Sequence, residues 1–140
     1  MGVLRDDYIH RMIRQLAEFI ARITGFTATE KWDQALAESD RAWTELLDVP
    51  RDLVDRLDGP TLAQLLAEPA RMRLAAELLA AEAKIQQGKR DPIHATLCTK
   101  RAFELYLEAR ALDPQDSDDL AIFELARLVP PNEIDPRYRG

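Results

Sequence analysis

Cysteine and glycine are scarce in this sequence, and no long apolar run separates its charged residues. A single cysteine, Cys98, excludes an internal disulfide bond and is typical of a reducing compartment. The five glycines lie far apart, so the chain contains no glycine-rich loop of the kind that binds phosphate. No apolar stretch of the sequence has the length of a membrane span or the form of a secretory signal. These features predict a cytoplasmic protein that does not associate with membranes.

Positive charge is in the minority as well. The chain has 19 basic and 25 acidic residues and a formal net charge of −6. Nucleic-acid affinity comes largely from basic side chains that neutralise phosphates, so this balance argues against a general nucleic-acid binder. The hydrophobic fraction of 46% in 140 residues is sufficient for one packed core. We therefore predict a single domain over residues 1–129, followed by a flexible tail over residues 130–140.

The periodicity of the chain indicates an all-α fold. Strand signals are missing from the sequence, because β-branched residues are sparse and no alternating pattern is sustained. The first predicted helix covers residues 7–24, with Asp6 or Asp7 as its cap and Gly25 as its end, and the second runs from a capping box at Thr27 and Glu30 to Leu46. Pro50 and Pro60 each open a short helix. The remaining predicted helices are 70–87, ended by Gly88; 92–112, capped by Asp91; and one from Ser117 to Val129.

The first predicted helix has an unusually broad apolar face. Met12 and Phe19 recur at a spacing of seven, as do Leu16 and Ile23, and further isoleucines widen the stripe. Such a face can contact two neighbouring helices. Alternatively, this face could pair with the same face of a second copy and form a homodimer. Light scattering would distinguish a monomer from this dimer.

A short motif late in the chain resembles the second helix of a tetratricopeptide (TPR) repeat. Ala102, Tyr106 and Ala109 have the expected small–aromatic–small spacing, and Pro114 follows the helix. The helix that carries them is apolar on nearly all sides, so we expect it to be the central helix of the domain.

A second resemblance covers most of the chain. The opening Asp7-Tyr8-Ile9-x-Arg11-Met12-Ile13, the segment 57–66 and the segment 105–109 are similar to an uncharacterised bacterial family, a domain of unknown function with TPR-like helices. The resemblance implies an all-α fold of TPR-like antiparallel helical hairpins. It implies no catalytic residues.

Few residues point to chemistry. His94 and Cys98 are four apart on one predicted helix, so their side chains can meet and could activate a thiol or bind a metal. The simpler interpretation is that Cys98 is a buried thiol and His94 a half-buried histidine. The acidic residues, including Glu82 and Glu104, are interpreted as solvated surface. We therefore expect no catalytic site, no metal and no cofactor.

These observations predict a small cytoplasmic protein-interaction or scaffolding module. The partner would be a protein or peptide bound on a preformed helical surface. Asp7, Tyr8 and Arg11 are the candidate protein-binding residues, because core packing at a helix start does not require this polar and aromatic cluster. The alternatives are a homodimeric structural protein, or a metal-binding or enzymatic bundle that uses His94 and Cys98.

Overall fold

The computed structural model describes residues 2–138, and the surroundings of the side chains from Asp6 onward. Over this range the chain forms seven α-helices and no β-strand, which confirms the predicted all-α class. The elements are α1 (Gly2–Ala28), α2 (Trp32–Leu47), α3 (Arg51–Arg56), α4 (Gly59–Leu66), α5 (Pro69–Gly88), α6 (Pro92–Leu112) and α7 (Asp116–Leu128), then 3₁₀ turns at Pro131–Glu133 and Pro136–Tyr138. Among the described helices, none is long and apolar enough to cross a membrane.

The first helix is longer at both ends than its sequence pattern predicts. It begins at Gly2, ahead of the two aspartates predicted to cap it. It also continues through Gly25, the predicted stop, and ends at Ala28. The Thr27 hydroxyl donates a 2.7 Å hydrogen bond to the carbonyl of Ile23, so Thr27 extends α1 and does not cap α2.

The apolar stripe of α1 is buried by two neighbouring helices, α2 and α5. The buried members of the stripe are Met12, Leu16, Phe19 and Ile23. Ile13 remains largely exposed at the edge of the stripe. Most of this face is therefore part of the core of one chain, and a homodimer through α1 stays a prediction.

The centre of the fold is the α5–α6 pair, so the predicted central helix α6 shares this position with α5. Besides α6, α5 packs against α1 and α2 and makes a small contact with α4, whereas α6 packs against α4, α5 and α7. The predicted boundaries of α6 are confirmed, because Asp91 accepts a hydrogen bond from the His94 N–H at its first turn. Its small residues Ala102 and Ala109 are fully buried. However, Ile93 and Leu112 at its two ends are exposed, so α6 is not enclosed on all sides.

Two short helices connect α2 to α5, as the sequence predicts. Pro50 precedes α3, and Asp58 caps α4 by accepting a 2.8 Å hydrogen bond from the Thr61 N–H. Gly59 is the first residue of α4. A Cβ built at Gly59 would lie only 3.0 Å from Cβ and Oε1 of Glu104, so α4 and α6 approach closely at this point.

The last helix and the tail lie against α6 and α4. α7 begins at Asp116 instead of being capped by Ser117, and its carboxylate Asp118 is buried. After Leu128 the chain turns back, and Arg137 forms a 3.6 Å ion pair with Asp58. The predicted flexibility of residues 130–140 stays a prediction, and residues 139–140 lie outside the described range.

Candidate functional site: a charged cleft between α2 and α6

A cleft of about 390 Å³ opens between α2 and α6, with α5 at its base and α3 on one side. This volume lies within the range of small-ligand sites. The apolar lining residues are Leu36, Val54, Leu79 and Leu97. The ionisable lining residues are Asp40, Arg51, Asp55, Glu82, His94, Cys98 and Arg101. The cleft therefore combines apolar walls with an unusual density of charge.

A buried carboxylate lies at the base of the cleft. Glu82 is 2% exposed and accepts three hydrogen bonds from other elements. The Ser39 hydroxyl and the Trp43 indole N–H donate to Oε2, each at 2.7 Å, and Arg51 Nε donates to Oε1 at 2.8 Å. A buried charge is tolerated only when it is paired and hydrogen-bonded in this way. Glu82 thus joins α5 to α2 and α3, which corrects its interpretation as solvated surface.

The guanidinium of Arg51 closes this network from α3. Besides Glu82, it donates a 2.7 Å hydrogen bond to Asp55, and its Nη2 lies 3.9 Å from the Cys98 sulfur. Burial of Arg51 opposes its charged form, but the carboxylates of Glu82 and Asp55 outweigh this and raise the pKa of Arg51 above its ordinary value. Arg51 therefore stays charged, and all three of its nitrogens are engaged.

Asp40 is the carboxylate of the cleft that has no counter-charge in contact. Its side chain forms no hydrogen bond or ion pair with any residue that the structure describes. Partial burial, together with the nearby negative charge of Glu82, raises the pKa of Asp40. The positive charge of Arg51 offsets part of this effect, so the exposed Asp40 carboxylate lies at a cleft wall of mixed charge and makes no direct contact with a cation.

A second charged group on the cleft wall, Arg101, is already satisfied. It forms a 2.6 Å ion pair with Glu104, which is buried and thus not the solvated carboxylate expected from sequence. The positive charges of the cleft are therefore both paired with carboxylates. The unpaired charge that remains is negative.

His94 and Cys98 line the same cleft, but they do not interact as a pair. Nδ1 of His94 lies 2.5 Å from Asp91, whereas the thiol of Cys98 contacts Arg51, and no hydrogen bond joins the two described side chains. Burial, and then the negative charge of Glu82, raise the pKa of the Cys98 thiol to about 12. The prediction of a buried thiol is confirmed, while His94 is exposed and not half-buried. Across residues 2–138, no three His, Cys, Asp or Glu side chains are close enough together to hold a metal ion.

The candidate residues at the start of α1 lie elsewhere. Asp7, Tyr8 and Arg11 are exposed on the early turns of α1, and none of the three lines the cleft. Their role in protein binding stays a prediction. A second depression, of about 410 Å³, lies between α1 and α5; its lining is mainly apolar and includes Glu77 and Lys84.

The residues that sequence reasoning missed are Glu82, Arg51 and Asp40. One signal was available, because Glu82 interrupts an apolar face of α5 that includes Leu78 and Ile85. A charged residue on such a face indicates a buried partner. The sequence does not reveal which residue supplies that partner, since Arg51 is 31 positions away.

Comparisons of this chain with protein-family models, with curated proteins and with solved structures find no match. The resemblance of the opening segment to a bacterial family therefore stays a prediction. What the cleft can bind follows from the chemistry of its own residues.

Proposed function

We propose that this chain is a protein-interaction module, built of TPR-like antiparallel helical hairpins, that binds a basic segment of a partner protein in the α2–α6 cleft. The observation that carries the proposal is the unpaired Asp40 carboxylate beside the buried Glu82. The function is one of binding, and the ligand group is a lysine or arginine side chain.

The arrangement of the long helices supports the TPR-like part of the proposal. Three-residue connections join α1 to α2 and α5 to α6, and the members of each pair pack against each other. Short connections of this kind favour antiparallel neighbours. α5 also packs against both α1 and α2, as the first helix of a second repeat does in a helical array.

The charges of the cleft favour a cation as the ligand. Asp40, Asp55 and Glu82 contribute three carboxylates, which Arg51 balances only in part. A primary ammonium or a guanidinium placed at Asp40 would form a charge-assisted hydrogen bond. The net charge of −6 would also attract a basic segment at a distance.

The apolar walls suit a long basic side chain in particular. Leu36 and Leu97 line the cleft from α2 and α6, and Leu97 is about half exposed. Lysine and arginine bury their methylene groups against such surfaces while the charged end reaches a polar group. A simple inorganic cation would make no use of these leucines.

The direct test is a titration of the labelled protein, followed by NMR, with short blocked peptides that differ only in their central residue. We expect peptides centred on lysine or arginine to shift the amide signals near Asp40 and Leu97, and peptides centred on glutamate or alanine to leave them unchanged. Asp40→Asn should weaken binding by roughly fivefold, because a partly exposed ion pair contributes about 1 kcal/mol.

The matched control is Asp52→Asn. Asp52 is an exposed carboxylate of α3 that pairs with Arg56 and does not line the cleft, so its loss should leave binding unchanged. Equal binding by the wild type and Asp40→Asn would contradict the proposal. Shifts centred on Tyr8 and Arg11 would instead place the binding surface at the start of α1, and shifts at Lys84 would place it in the α1–α5 depression.

A further inference from the structure

The outer face of α7 carries large apolar side chains that no described helix covers. Leu120 is 65% exposed and Phe123 is 62% exposed, although they are three positions apart on one helix. The opposite face, with Asp118 and Leu125, is buried against the rest of the domain. Since α7 packs extensively only against α6, its outer face is available to another molecule.

Two charged residues extend the same face. With 3.6 residues per turn, Asp116 and Arg127 lie on the side of α7 that carries Leu120 and Phe123. Neither forms an ion pair with another residue of the described range. The guanidinium of Arg127 lies over the ring of Phe123, 6.0 Å from its centroid.

The order of these four residues is complementary to itself. The midpoint between Leu120 and Phe123 coincides with the midpoint between Asp116 and Arg127. In an antiparallel pair of α7 helices related by a two-fold axis at that midpoint, Leu120 of one copy lies opposite Phe123 of the other. The same register places Asp116 opposite Arg127 of the other copy. The antiparallel orientation is also favourable for the two helix dipoles.

We propose that this chain forms a two-fold symmetric homodimer through α7, with two Leu120–Phe123 contacts at its centre and an Asp116–Arg127 ion pair at each end. A symmetric interface must match its own surface, and this register meets that requirement for apolar and charged groups together. The interface differs from the homodimer through α1 that the sequence suggests as an alternative.

The size of the interface sets the strength of the dimer. α7 has 13 residues, which corresponds to a length of roughly 20 Å. One helix pair of this length covers less than the roughly 800 Å² per partner of a standard stable interface. The dimer therefore dissociates on dilution, with monomer and dimer in rapid exchange.

The test is sedimentation equilibrium of the full chain from low to high micromolar concentration, in salt near physiological strength to screen the net negative charge. Wild-type protein should show a monomer–dimer equilibrium. Phe123→Ala should raise its dissociation constant at least tenfold, the size of effect expected for a central aromatic anchor. Ile13→Asp, on α1, is the matched control and should leave the equilibrium unchanged.

Charge reversal provides the sharper measurement. Asp116→Arg alone and Arg127→Asp alone should each abolish the dimer, because like charges then meet at both ends. An equimolar mixture of the two variants should form heterodimers, since every facing pair is again of opposite sign. Both positions are exposed, and circular dichroism should report unchanged helix content.

Two results would overturn the proposal. One is a strictly monomeric wild type at high micromolar concentration. The other is a dimer that Ile13→Asp disrupts and Phe123→Ala does not, which would place the interface on α1.

Discussion

The indole N–H of Trp43 donates a 2.7 Å hydrogen bond to the carboxylate of Glu82, and both side chains are buried. The contact joins α2 to α5 inside the core. Ser39 and Arg51 supply the other hydrogen bonds to the carboxylate, so its charge is fully satisfied. The same network forms the base of the α2–α6 cleft. The stability of the fold and the shape of the proposed binding site therefore depend on the same hydrogen bonds.

Removing this carboxylate should strongly destabilise the fold. Glu82→Ala leaves the charge of Arg51 and the donors of Ser39 and Trp43 without their acceptor, and breaking a buried ion pair costs about 3–5 kcal/mol. Urea unfolding followed by tryptophan fluorescence measures the loss. The control is Glu45→Ala, since Glu45 is exposed and pairs with Arg41 at 3.4 Å. It should cost less than about 1 kcal/mol, and an equal loss in the two variants would contradict a structural role for Glu82.

Removing the charge of Asp40 should stabilise the fold, in contrast to removing the carboxylate of Glu82. The pKa of Asp40 is raised in the fold by partial burial and by Glu82, so the folded state binds its proton more tightly than the unfolded state does. The stability associated with this group is present at low pH and is lost as pH rises through the ordinary aspartate range toward the raised pKa. Asp40→Asn should therefore melt at a higher temperature than the wild type at pH 7.

The pH dependence separates this explanation from a general effect of the substitution. Below the aspartate range both proteins carry a neutral group at position 40, and their melting temperatures should converge. A variant that is more stable at neutral pH but weaker in binding basic peptides is the pattern expected of a functional carboxylate. A constant difference at all pH values would show that charge is not the cause.

The boundaries of α5 and α6 could be predicted because their signals are local. Pro69 opens α5, and Asp91 with Pro92 caps and opens α6 within a few residues of chain. The end of α1 could not be predicted from Gly25, since packing against α2 and α5 stabilises the helix beyond it. The cleft was missed for a similar reason. Its central residue, Glu82, acquires its partners only when distant helices pack together.

Substitution by alanine should have opposite effects on stability at Gly25 and at Gly88. A Cβ at Gly25 would meet no atom within 4 Å, so Gly25→Ala should stabilise the exposed helix by about 0.5–1 kcal/mol. A Cβ at Gly88 would collide with the indole ring of Trp32. Gly88→Ala should therefore displace this ring and cost about 1–3 kcal/mol.

Fluorescence distinguishes the two substitutions independently of stability. Displacement of Trp32 into solvent should shift its emission to longer wavelength in Gly88→Ala, whereas Gly25→Ala should leave the spectrum unchanged. A Gly88→Ala variant with unaltered emission and higher stability would show that the helices do not approach closely at this position.

Cys98 should be unreactive in the folded protein. Its pKa of about 12 leaves far less thiolate at pH 8 than an ordinary cysteine has, so alkylation by iodoacetamide should be slower by roughly 100-fold or more. Alkylation in concentrated urea supplies the reference rate for the same thiol. Rapid alkylation of the native protein would contradict this prediction and support a thiol–imidazole site formed by Cys98 and His94.

The same pKa has a consequence at alkaline pH. As pH rises above the ordinary value of 9.0, the thiol ionises first in the unfolded state, which then binds fewer protons than the folded state. Stability attributable to Cys98 therefore falls between about pH 9 and 12. Cys98→Ala should remove this part of the alkaline destabilisation, and denaturant titrations at both pH values would measure the difference.

An ion pair with α5 adds to the packing of α7 against α6. Arg73 donates two hydrogen bonds, at 2.9 and 2.8 Å, to the buried carboxylate of Asp118, and it also contacts the carbonyl of Asp113. The hydrogen bonds to Asp118 raise the pKa of Arg73, which keeps the guanidinium charged. Asp118→Asn retains the shape of the side chain but replaces an acceptor by a donor that faces the guanidinium. Because bidentate pairs are strong and geometrically specific, this exchange should release α7 locally.

The expected loss is about 1.5–3 kcal/mol, the range for hydrogen bonds to charged groups. Hydrogen exchange should show it as faster exchange confined to α7, while the amides of α1 and α2 keep their protection. Asp119→Asn is the control, because Asp119 is exposed and pairs with Arg110 at 3.4 Å. Since α7 would also carry the proposed dimer contacts, Asp118→Asn should weaken self-association along with the protection of α7. A uniform loss of protection across all helices would instead show that α7 is not a separate cooperative unit.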